Sequence, residues 1–151
     1  MEERDDNQTI MKKYLLIALS LSILLLVFLF QRFSYAGVIN AMLPDSIQMI
    51  SPNVIFSVNK TVRLILNDVA CMIFIYAVFK KQIYLKASFY LFLAELFVIL
   101  PLYLVVKLNL EGDSELSSPL LSQIHRLIVN PLLMFLLVMG FVYQRLKVEK
   151  S

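Results

Sequence analysis

VRLILNDVACMIFIYAVF, residues 62–79, is a run of 18 mostly apolar residues interrupted by one arginine, one asparagine, one aspartate and one cysteine. The hydrocarbon core of a bilayer is about 30 Å thick, and a helix crossing it needs about 20 mostly apolar residues. The run is long enough to cross if its ends snorkel. Three further runs read the same way: 14–30, 87–106 and 127–143. In a chain of 151 residues with 60% hydrophobic composition and a mean hydropathy of +0.78, four such runs leave no room for a soluble domain. The expected fold is an all-α membrane protein, an antiparallel bundle of four transmembrane helices over 14–144. A tail at 1–13 and a basic tail at 145–151 flank it.

Charge placement orients the bundle. Nine of the fourteen lysines and arginines lie in three groups: Arg4, Lys12 and Lys13; Lys80, Lys81 and Lys86; Arg145, Lys147 and Lys150. In a four-helix topology these groups share one face, and the positive-inside rule makes it cytoplasmic, with both termini inside. The net charge of +3 therefore reflects topology and not nucleic-acid binding. Lys80–Lys86 reads as an ordinary topogenic turn with a general attraction to anionic lipid. Tyr14, Tyr84, Tyr103 and Tyr143, near span ends, read as interfacial anchors.

One cysteine, Cys71, and one histidine, His125, exclude an internal disulfide and the usual zinc or haem spacings; no metal or cofactor is expected. Met11-Lys12-Lys13 before an apolar run is signal-like, but the run is long and Gln31-Arg32 follows it, so it reads as an uncleaved first helix. The acidic leader 1–10 reads as an unpatterned tail, or as lying upstream of a start at Met11. Ala18 and Ser22 offer a weak small-residue contact face. The stretch 31–61, with Pro44 and Pro52, reads as a long apolar loop on the outer surface. Pro101 is expected to kink the third helix. Ser118-Pro119 reads as a helix start, with a further kink at Pro131.

The polar residues within the spans are the candidate site. Asn59, Arg63, Asn67 and Cys71 recur every four residues on one face of the second helix, and Asp68 lies about 140° around from Arg63. Gln123, Arg126 and Asn130 form a second stripe on the fourth helix, beside His125. Glu95 lies deep in the third. Charges at a helix centre are costly and usually face partners within the bundle, so Asp68 is expected to meet Arg126 or His125. These groups serve equally as interhelical glue. Cys71, His125 and Arg126 also raise a Cys/His/Arg peptidase, although Cys71 is flanked by apolar residues and reads more simply as packing. Glu95 raises a third class, a proton or cation site in an oligomeric transporter or channel subunit. No motif of a known reaction is present.

Residues 125–134, HRLIVNPLLM, followed by Phe141-Val142-Tyr143-Gln144, resemble the small exosortase F system-associated membrane proteins. Arg63–Asp68 (RLILND) and Leu100-Pro101-Leu102-Tyr103 are similar to that family too, and the likeness spans about 11–144. It implies a multi-pass protein of a bacterial cytoplasmic (inner) membrane, accessory to an exosortase. Exosortases are larger enzymes thought to cleave proteins bearing a C-terminal sorting signal. The associated family has no assigned catalysis, so the expectation is a non-enzymatic subunit binding exosortase F or its sorting-signal substrates through Arg63, Asn67, Asp68, Glu95, His125, Arg126 and Asn130.

Overall fold

The computed structural model describes residues 2–30, 33–44, 51–110 and 119–149, which are helical with no strand among them. The helices are α1 (Glu2–Leu29), α2 (Tyr35–Met42), α3 (Pro52–Phe79), α4 (Gln82–Ala94), α5 (Leu100–Leu110), α6 (Pro119–Val129) and α7 (Leu132–Glu149). A π-helical turn, Glu95–Ile99, joins α4 to α5 without a break. Three helical stretches are long and apolar enough to cross a membrane: Ile10–Leu29, Pro52–Phe79 and Gln82–Leu110. The protein is all-helical and built for a bilayer.

Each helix exceeds its apolar run for a local reason. No glycine or proline interrupts 2–29. The leader therefore continues α1 instead of forming a tail. The long loop expected over 31–61 contains α2 and the first turns of α3. Pro52 starts α3, at a first-turn position where a missing N–H costs nothing, with Ser51 preceding it. The 28 residues of α3 rise about 42 Å at 1.5 Å per residue, more than the hydrocarbon core requires.

α3 is the hub, half buried over its apolar window against 11% for α1 and 17% for the α4–α5 helix. α1 packs along it through Ser20 and Val27, seven residues apart and buried, while Ala18 and Ser22 are exposed. Ala70 and Ala77, also seven apart and buried, keep α3 slim enough for close approach. Ser20 Oγ donates to the Ile17 carbonyl at 2.8 Å and Ser88 Oγ to that of Tyr84 at 2.8 Å. Both buried hydroxyls are thus satisfied within their own helices.

Two apolar clusters stack along α3. At one end Leu64 packs with Leu100 and Tyr103, joined by Ile99 and by Ile124 of α6. At the other, Ile75 and Phe79 pack with Tyr84 of α4 and Phe141 of α7. Tyr84 and Phe141 stack at 4.3 Å, with Phe79 edge-on to both. Tyr84 and Tyr103 are therefore core residues, not interfacial anchors, whereas Tyr14 and Tyr143 are exposed as anchors would be.

The fourth apolar run is not one helix. α6 starts at Pro119 and ends at Val129, and α7 restarts at Leu132. Pro131 lacks an N–H, clashes with the carbonyl four residues back and pushes Asn130 out of the helical region. Asn130 N–H still closes α6 on the Arg126 carbonyl at 3.1 Å, and Leu132 N–H turns back to the Asn130 carbonyl at 2.7 Å. The apolar part of α7, residues 132–143, rises only about 18 Å.

Candidate functional site

The buried face of α3 reads Leu64, Asp68, Cys71, Ile75, Phe79, a spacing of four, three, four and four that keeps one helix face inward. Asp68 thus occupies a core position between the two apolar clusters and is 1% exposed. Glu95, also 1% exposed, meets it from the α4–α5 helix, so the two carboxyl groups lie side by side in the core. Asp68 Oδ2 and Glu95 Oε1 remain buried with no hydrogen-bond partner among the described residues.

The π-turn makes this meeting possible. On α4 the buried residues Tyr84, Ser88 and Glu95 follow α-helical spacing, and on α5 so do Leu100, Tyr103 and Lys107. The step from Glu95 to Leu100 is five. In an unbroken α-helix five residues advance 500°, leaving the second stripe about 140° off the first. The wide turn, closed by Leu100 N–H on the Glu95 carbonyl, absorbs the difference, so both halves face α3. The helix runs on through Pro101, the wide turn lying just before it.

The polar stripe on the neighbouring face has a different fate. Arg63 and Asn67, 7% and 5% exposed, line a cleft of about 460 Å³ together with Asn130 and Pro131 at the helix break. Its other walls are apolar, from Leu21, Leu25 and Phe28 of α1 and Phe135 of α7. Breaking the helix places Asn130 there, exposed, beside the α3 stripe.

The single cluster expected from the sequence is therefore two. Arg63, Asn67 and Asn130 come together at the cleft, and Asp68 and Glu95 come together in the core. Arg126 is exposed and does not meet Asp68, whose partner is Glu95. His125 lies in α6, with its side chain outside the described residues, as is Arg32. Asn59 leaves the stripe to fasten α2: its Oδ1 accepts from the Ala36 N–H at 2.8 Å, and its Nδ2 donates to Ser34 Oγ at 3.5 Å. Cys71 is buried, and its titratable neighbours among the described residues are Asp68 and Glu95, not the cation a thiol nucleophile needs. Among the described residues no cluster of ligating side chains could hold a metal.

Two lysines beyond the apolar runs are buried. Lys60, 6% exposed, holds its Nζ 4.9 Å from the Phe56 ring centroid, and Lys107 is 1% exposed. The spacing Leu100, Tyr103, Lys107 puts the second on the inward face of α5. No protein-family model matches the chain, and neither a curated protein nor a solved structure matches it.

Proposed function

We propose that the chain is a non-enzymatic integral membrane accessory protein whose cleft at Arg63, Asn67 and Asn130 receives an apolar helix carrying a few polar groups. The observation that carries this reading is the placement of three polar side chains in a cleft with otherwise apolar walls. Polar and ionisable side chains that line a cleft within the membrane mark a contact site for a partner carrying complementary polar groups. The resemblance to exosortase F-associated proteins supplies the partner, the exosortase or the membrane-spanning sorting signal of its substrates, and the bacterial inner membrane. Co-purification with exosortase F is expected to fall at least tenfold for Asn67→Leu and to persist for the exposed Arg126→Ala. Equal recovery with Asn67→Leu, or unchanged sorting in cells lacking the chain, would refute it.

The same reading makes α6 and α7 together a fourth, discontinuous crossing, with both termini cytoplasmic. Two packing contacts support it. Ile124 of α6 joins the cluster at Leu64, and Phe141 of α7 joins the one at Phe79, so the pair runs the length of α3. Reporter fusions after Leu110 and after Glu149 should report opposite sides, and the same side for both would remove the fourth crossing.

A second reading, a proton or cation pathway in an oligomer, is favoured by the Asp68–Glu95 pair and its two unsatisfied oxygens. Liposome flux that Glu95→Gln abolishes would establish it, and absence of flux in the wild type would dismiss it.

A further inference from the structure

Three segments far apart in sequence converge at the end of the bundle where α3 turns into α4. Lys13 of α1, Lys80 and Lys81 of the turn, and Gln144 and Arg145 of α7 surround a cavity of about 530 Å³ floored by Tyr84. Four of its lining residues are cationic and none is acidic. A concavity lined by several cations focuses a positive potential that draws an anion into it.

The cavity is built, not merely decorated with lysines. Tyr84 is pinned by its stack on Phe141 and its edge contact with Phe79. Lys81 Nζ lies 5.9 Å from the Tyr84 ring centroid, which holds that cation over the floor. Lys80 closes α3 with φ +52°, the one non-glycine residue in the left-handed region among those described. Glycine or asparagine fills such a position without the steric cost that lysine meets there. A strained backbone that carries a charge into a cavity points to a use for that charge.

The surroundings indicate which anion. One helical turn along α1 from Lys13, Leu16 lines an apolar groove of about 620 Å³ with Val69, Met72, Ile73 and Phe89. A phosphate in the basic cavity therefore has an acyl-sized channel beside it. We propose that the cavity at Lys13, Lys80, Lys81 and Arg145 is a headgroup site for an anionic phospholipid, its phosphodiester on the lysines and an acyl chain along the α1–α3–α4 groove. This role is independent of the partner cleft, which opens between α1 and α7.

The test uses the full chain in a neutral detergent, titrated with diheptanoyl phosphatidylglycerol, diheptanoyl phosphatidylcholine or inorganic phosphate and read by thermal unfolding. Phosphatidylglycerol should raise the midpoint saturably, and phosphatidylcholine and inorganic phosphate should do so far less. Lys81→Gln and Lys80→Gly should each weaken phosphatidylglycerol about fivefold. Lys80→Gly also relieves the turn, so a folding defect cannot mimic the loss. Lys12→Gln, which removes the same charge beside the cavity, should leave the affinity unchanged. Equal weakening by Lys12→Gln would reduce the effect to diffuse charge, and an equal response to phosphatidylcholine would remove the headgroup. Full reproduction by inorganic phosphate would remove the lipid. Each of these results overturns the proposal.

Discussion

Two prolines interrupt the apolar helices of this protein, with opposite results. Before Pro101 the helix widens into a π-turn and continues, whereas at Pro131 it stops and restarts. The neighbours decide. Leu100, before the first proline, is 3% exposed and locked into a core cluster, so the chain cannot leave the helix there. Asn130, before the second, is exposed and its short polar side chain tolerates non-helical backbone. The consequence is one polar site at each irregularity: a closed carboxyl pair where the helix widens, and an open cleft where it breaks.

The largest effect should come from deleting residues on either side of the first irregularity. Removing Tyr90 shifts the Tyr84 and Ser88 stripe by about 100° against Glu95 and should abolish most of the folded yield in detergent. Removing Val98, exposed and inside the π-turn, converts the five-residue step to four and should leave a folded protein. Equal losses from the two deletions would mean the π-turn does not set the phase.

The closed pair should be next. Glu95→Leu strands the Asp68 carboxyl in the core and should cost about 1–3 kcal/mol in denaturant unfolding. Glu95→Gln keeps a hydrogen-bonding partner and should cost less than half as much. If leucine is tolerated as well as glutamine, the two carboxyls do not depend on each other.

Asn59→Ala tests the attachment of α2 to α3, the helix that carries both sites. It leaves the buried Ala36 N–H without its acceptor and should cost about 1–2 kcal/mol. A matching loss of protection at the Ala36 amide in hydrogen exchange would show that the bond itself is responsible, and unchanged protection would show that it is not.

Much of this was legible in the residues, and the failures have identifiable causes. Apolar run length revealed the membrane class, and Ser118-Pro119 marked the start of α6. The same Ser-Pro signature at Ser51-Pro52 reads equally as a breaker, which hides the first turns of α3 and, with them, the helical setting of Lys60. Polar stripes at four-residue spacing showed which residues share a face. They could not show which neighbouring helix meets that face. Asp68 was assigned to Arg126 because opposite charges attract, yet its place between Leu64 and Ile75 on the inward stripe pointed to the core. Glu95 could be matched to it only by noticing that the buried positions of its helix step by five. No pairing rule for opposite charges anticipates a carboxyl set beside a carboxyl in the core.

The smallest effect follows from that correction. Arg126→Ala should change stability by no more than about 0.5 kcal/mol, the range of an exposed surface substitution. A loss of several kcal/mol would restore the Asp68–Arg126 pair and dissolve the distinction between the two sites.

The native cysteine gives the most direct test of that distinction. Cys71 sits on the inward face one turn from Asp68 and is 2% exposed, while Asn130 is exposed at the mouth of the cleft. Labelling with a small maleimide in detergent should leave Cys71 unmodified until the protein unfolds, and should modify Asn130→Cys in a Cys71→Ala background within minutes. Rapid labelling of Cys71 in the folded protein, or protection of Asn130→Cys, would contradict a closed site at the widened turn and an open one at the break.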